Sequence, residues 1–162
     1  MNKRLEEEIR TFLSNNRITN PINTTLTERQ FCRGIAIDSI RSERNFRYFR
    51  NKLNTIVFGN SYRRFGKQLQ MLVVREISPD KRHHLHCIIQ QPVRFETLEF
   101  MKLIKTTWSS TDFGYEQVHI EKPSSQQRKN GWLNYILKDY SKVSLDHSID
   151  WMNSSFINYC RL

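Results

Sequence analysis

Glycine and proline are scarce in this chain of 162 residues, at five and four. Few breaks therefore interrupt the chain, and long elements are expected. Cysteine is scarcer still: Cys32, Cys87 and Cys160 are far apart, with no C-x-x-C pair. That excludes a zinc knuckle and a disulfide framework and suits a reducing compartment. No stretch approaches the roughly 20 apolar residues that a membrane span needs. The opening MNKRLEEEIRTFL is charged and amphipathic and lacks the apolar core of a signal peptide. A cytoplasmic chain with no membrane partner is expected. Internal repeats, low-complexity segments and the phosphate loop G-x-x-x-x-G-K-[ST] are also missing from the sequence. Acidic residues are in deficit, 16 against 26 Lys and Arg, for a net charge of +10. Such an excess favours a polyanionic partner, nucleic acid before membrane, through counterion release and steering.

What is present suits a folded domain. Hydrophobic residues make up 38% and aromatic ones 12%, enough for a real core, and the length fits one domain. We read residues 1–162 as that domain, with 1–19 and 143–162 as helical or irregular extensions. A short amphipathic helix is expected near 3–14, then a strand at "INTTLT" (22–27). From Glu28 the pattern reads as helical, with Phe31, Ile35, Phe46, Phe49 and Leu53 as inward positions and a kink near Ser42. "FGNSYRRFGK" (58–67) reads as a basic loop. "LQMLVVREI" (69–77) and "HHLHCIIQQ" (83–91) read as a hairpin across "SPDKR". A helix follows at 95–108, a strand at 115–121, and a helix from about Ser124 or Ser125 through "QQRKNGWLNYILKDYSK". One more packing helix is expected in the tail, from Ile149, Trp151, Met152, Phe156 and Ile157. The order β-α-β-β-α-β predicts an α+β fold, an antiparallel sheet with helices on one face, of the ferredoxin-like or split β-α-β type.

Three of the five histidines fall within "HHLH" at 83–86. Strand side chains alternate, so His84 and His86 share a face about 7 Å apart. A third ligand is needed. In an antiparallel hairpin the paired residue numbers sum to a constant, and an even sum puts Glu76 on the same face. Pairing of Glu76 with His84 would then gather all three around one point. Two imidazoles and a carboxylate suit Mn²⁺ or Mg²⁺ acting on a phosphodiester, with Zn²⁺ or Fe²⁺ as further options. The bland alternative is a structural histidine pair beside a surface glutamate.

In "GWLNYILKDYSK" the residues Leu133, Ile136, Leu137 and Tyr140 follow i, i+3, i+4, i+7 and make an apolar stripe. Tyr135 lies off that stripe with Lys138 three residues on and Lys142 a further turn along. A phenol with a pKa of about 10 is a weak nucleophile, so attack on phosphorus calls for a metal and an adjacent ammonium.

His84-Leu85-His86 resembles the His-hydrophobic-His motif of HUH endonucleases, and Tyr135-x-x-Lys138 resembles the tyrosine motif of their replication-initiator (Rep) branch. The upstream Glu76 is also similar to Rep proteins, and "INTTLT" corresponds loosely to their first motif. The resemblance spans roughly residues 20–142. It implies that Tyr135 attacks single-stranded DNA, giving a 5′-phosphotyrosine and a free 3′-hydroxyl, while Lys138 holds the phosphate. His84, His86 and Glu76 would hold the divalent ion. One nucleophile is expected, since Tyr140 lies about 140° around the helix from Tyr135. The implied role is nicking and joining at the single-stranded or hairpin origin of a plasmid, phage or virus replicating by rolling circles. Without a phosphate loop, unwinding falls to a separate helicase or a further domain. A single-tyrosine HUH transposase is the neighbouring alternative; a non-catalytic single-stranded nucleic-acid-binding module is the alternative of another class.

Cations interleaved with rings in "RSERNFRYFRNK" and "SYRRFGK" suit single-strand binding. Arg41, Arg44, Arg47 and Arg50 recur every three residues and so wind around a helix. Arg63, Arg64, Lys67 and Lys142 are therefore the expected DNA contacts. His83 is expected as an exposed turn histidine, with a contact to DNA or the active site as the alternative, His119 and His147 as non-functional, and Trp108 and Trp132 as packing residues.

Overall fold

The computed structural model describes residues 3–78, 82–124, 126–137 and 145–156. Four strands form one antiparallel sheet: β1 (Pro21–Glu28), β4 (Met71–Ile77), β5 (His83–Gln90) and β6 (Gly114–Glu121), in the order β4-β5-β1-β6. With six helices among the described residues this is the expected α+β class. Alternation along the strands splits the apolar residues between two faces. On one face Ile22, Leu26, Met71, Val73, Leu85, Cys87 and Ile89 pack under α2 (Ser39–Phe58) and α4 (Thr97–Ser109). Phe46, Phe49, Phe100 and Trp108 fill that core; Trp108 donates its indole N–H to the Thr27 carbonyl at 3.0 Å.

The expectation of helices on one face needs enlargement. Leu72, Val74 and Ile88 on the second face are covered by Ile9 and Leu13 of α1 (Lys3–Asn15) and by Ile136 and Leu137 at the end of α5 (Gln126–Ile136). A sheet that carries apolar residues on both faces must be covered on both.

The segment after β1 departs from the expected helix. Phe31–Cys32 (β2) and Ile35–Ala36 (β3) form a small hairpin. Arg33 and Gly34, at φ 49° and 76°, supply the two left-handed residues of its turn. Phe31 and Ile35, expected inward, are 68% and 50% exposed. The helix begins only at Ser39, because the Asp38 carboxylate caps it by accepting from the Arg41 backbone N–H at 2.7 Å. α2 then runs as one helix to Phe58, with Ser42 in its first turn. The basic loop contains a short helix, α3 (Asn60–Phe65).

The tail also differs from the expected packing helix. Four residues, Leu145–Ser148 (α6), are helical, and the chain then runs beside β4. Ile149 bridges to Val74 and Ser155 to Met71, while the Asp150 N–H donates to the Val73 carbonyl at 2.9 Å. The tail thereby covers the open edge of β4. At the start of β6, Gly114 lies so close to α4 that an added Cβ would fall 1.9 Å from the Trp108 carbonyl oxygen.

Candidate active site

The hairpin register answers the parity question. Glu76 pairs with His84 across β4 and β5, and Val74 with His86. The sum of each pair is even, so Glu76, His84 and His86 share a face. On the other side of β5, Thr25 pairs with His86 and Thr27 with His84. The site thus rises from three adjacent strands, on the face that α5 covers.

His86 is buried and fixed from both sides. Its Nε2 lies 2.9 Å from Glu76 Oε2, and its Nδ1 lies 3.1 Å from Thr25 Oγ1. A carboxylate only accepts, so in a neutral ring Nε2–H donates to Glu76 and the Thr25 hydroxyl donates to Nδ1. The Thr25 hydroxyl can also accept. It therefore supports the opposite tautomer as well, in which Nδ1 carries the proton and Nε2 offers its lone pair to an ion.

Among the described residues, no three His, Cys, Asp or Glu side chains are already gathered around one point. Glu76 and His86 are in contact, and half-buried His84 stands directly across the ladder from Glu76. Cross-strand neighbours have Cβ atoms about 5 Å apart, so a side-chain rotation of His84 toward Glu76 would complete a two-nitrogen, one-oxygen donor set. That set fits a divalent ion with positions left for phosphate oxygens or water.

The helix α5 brings Tyr135 to this face. Buried Ile136 and Leu137 seat the end of the helix on the sheet, and Arg10 of α1 donates to the Leu137 carbonyl at 2.7 Å. The Tyr135 ring meets His86 edge to face, with centroids 5.7 Å apart at 89°. Trp132 stacks on Tyr135 at 5.4 Å and meets His86 at 5.9 Å. Tyr135 is 45% exposed. Lys138, Tyr140 and Lys142 lie outside the described residues.

Three residues of this neighbourhood were not assigned to the site from the sequence. Thr25 is one. Trp132, expected as packing, does pack against the second-face core and also walls the site. His119 pairs with Thr25 across β1 and β6, and its ring lies 6.5 Å from Trp132. Only the strand register could have found Thr25 and His119; Trp132 had a local signal, three residues before Tyr135 on one helix.

His83 points to the α2 face, away from the site. Burial, then Arg75 and His84, hold its imidazole below its ordinary pKa, and Asp38 opposes them. Arg63 and Arg64 are exposed in the last turn of α3, and Lys67 lies 5.3 Å over the Phe58 ring. They precede the start of β4, whereas Glu76 is near its end, five residues or about 17 Å along the strand. The structure does not bring them to the histidines. No helix among the described residues is long and apolar enough to cross a membrane. No protein-family profile, curated protein or solved structure matches this chain.

Proposed function

We propose that the chain is an HUH-type endonuclease of the replication-initiator kind, which nicks and rejoins single-stranded DNA through Tyr135. The observation that carries this reading is the joint one: the Glu76–His84 register puts both histidines and the glutamate on one face, and α5 lays the Tyr135 ring against His86. A purely structural histidine pair has no need of a half-exposed phenol beside it.

Glu76, His84 and His86 would hold the ion, Mn²⁺ or Mg²⁺, with Thr25 accepting from Nδ1–H of His86 so that Nε2 faces the ion. When bound, the ion supplies Lewis acidity to a non-bridging phosphate oxygen. Tyr135 Oη forms a bond to phosphorus as the bond from phosphorus to the 3′-oxygen breaks. The phenolic proton is released and the departing 3′-oxygen takes one up, so protons balance. The 5′-phosphotyrosine keeps the energy of the broken phosphodiester, and attack by a 3′-hydroxyl reverses the step without a nucleotide cofactor. Lys138, three positions after Tyr135 in the sequence, would neutralise the phosphate. The partner is single-stranded or hairpin origin DNA in the cytoplasm, opened by a separate helicase.

Incubation with a pool of single-stranded oligonucleotides and Mn²⁺, followed by a denaturing gel, tests the assignment. A DNA-shifted protein band is expected. It should vanish with EDTA and in Tyr135→Phe, and fall at least about 100-fold in His86→Ala. A band that survives Tyr135→Phe, or DNA binding that ignores EDTA with no band formed, sinks the enzyme reading; the second result selects the non-catalytic binder.

A further inference from the structure

On the face of the sheet opposite Glu76 and His86, the first half of α2 and the β2–β3 hairpin enclose a cleft of about 600 Å³. Arg41, Arg44, Tyr48 and Lys52 follow i, i+3, i+7, i+11 along α2, which brings them within about 80° of one another. They form a single stripe. Other arginines of that helix are engaged elsewhere: Arg47 pairs with Glu43, and Arg50 donates to the Met152 carbonyl at 2.9 Å. Arg41, Arg44 and Tyr48 line one wall of the cleft, and Arg33 and Ile35 of the hairpin line another. Lys52 stands 6.0 Å from the Tyr48 ring centroid.

Two carboxylates are near. Asp38 is paired with Arg41, and Asp112 lines the far wall. Arg33 and Arg44 pair with no carboxylate among the described residues. Guanidinium groups gathered around a concavity repel one another unless an anion lies between them. The cleft also offers a ring: Tyr48 is 56% exposed. Duplex nucleic acid presents phosphates but buries the faces of its bases, whereas an unstacked strand supplies both.

One wall of the cleft lies near the histidine end of the sheet. Phe113, in its wall, accepts a backbone hydrogen bond from Arg29 at 2.7 Å. Arg29 follows two residues after Thr27, the ladder partner of His84. A strand leaving the cleft around the end of β1 thus meets the catalytic face.

We propose that this cleft holds one or two unstacked nucleotides of a single strand, with phosphates on Arg33 and Arg44 and a base against Tyr48. The proposal takes its nucleic-acid partner from the reading above and none of its chemistry. It is tested on the full chain by fluorescence anisotropy with labelled oligothymidylate in EDTA. The paired change Arg33→Ala with Arg44→Ala, and separately Tyr48→Ala, should each weaken binding about tenfold. The paired change should also reduce the salt slope by about 1.4, at about 0.7 per lost phosphate contact. Tyr48→Phe should bind as wild type, and Arg63→Ala with Arg64→Ala should lose less than the cleft pair. Equal losses from the two arginine pairs overturn the proposal. So does Tyr48→Ala binding as well as Tyr48→Phe, or displacement of the strand by polyglutamate as readily as by unlabelled oligothymidylate. Adduct formation with Mn²⁺ separates the two readings. Binding through the cleft with no adduct sinks the nuclease alone, and a Tyr135-dependent adduct with cleft variants that bind normally sinks the cleft alone.

Discussion

Glu28 ends β1 on the α2 face, only 3% exposed, and accepts a hydrogen bond from Ser42 Oγ at 2.7 Å. Burial pushes its carboxyl from the ordinary 4.5 up to about 7, against the opposing pull of the Ser42 bond and Arg75. The sign of the consequence follows from linkage. A folded-state pKa above the unfolded one means that the protonated form is the stabilised form. Its contribution is complete below about pH 4.5 and is lost as the pH rises through about 7. A shift of this size corresponds to about 3 kcal/mol. Glu28→Gln keeps an acceptor for Ser42 and cannot ionise. Urea unfolding of both proteins at pH 5 and pH 8 should find the variant gaining on wild type by up to about 3 kcal/mol at the higher pH. A stability difference that stays flat across that range would mean that Glu28 does not titrate there.

The tail contributes at the scale of the element. Ile149 is buried with Val74, Leu72 and Ile136, while Met152, three residues on, is 73% exposed. Ile149→Ala should cost about 2–5 kcal/mol, with a lower urea midpoint and an unchanged slope, whereas Met152→Ala should stay within about 0.5 kcal/mol of wild type. Equal effects would mean that the tail lies elsewhere than along β4. Elements were legible in the sequence where their period was unmistakable. The β4–β5 hairpin, α4 and β6 all fall where alternation or helical spacing puts them. The β2–β3 hairpin was missed because Phe31 and Ile35, four apart, imitate a helical face; the local clue was Arg33-Gly34, a pair able to occupy two left-handed positions. The cation stripe of α2 was missed for a related reason. Spacing by three among the arginines alone suggests a winding distribution, and the face emerges only when Tyr48 and Lys52 are counted with Arg41 and Arg44. Thr25 could not be found locally, since its role depends on strands that pair across 61 positions of chain.

For the whole molecule, the candidate centre joins parts distant in sequence: β1 supplies Thr25, β4 Glu76, β5 His84 and His86, and α5 Tyr135. An ion held there favours the folded state over the unfolded chain, in which these donors are scattered. Linkage sets the size of the effect. At a free concentration 100 times the dissociation constant, the stabilisation is about 2.7 kcal/mol. For a chain of this length, each kcal/mol raises the melting temperature by about 2–4 °C, so Mn²⁺ should raise it by about 5–10 °C. His84→Ala should abolish that rise although His84 makes no hydrogen bond to Glu76 or His86, because its contribution is to the ion and not to the apo fold. Thr25→Val should keep the rise but require about 10–100-fold more Mn²⁺ to reach it, the usual loss when the partner of a ligating imidazole is removed. A melting temperature indifferent to Mn²⁺ in wild type, or a rise undiminished in His84→Ala, would leave the Glu76–His86 pair as an ordinary structural hydrogen bond.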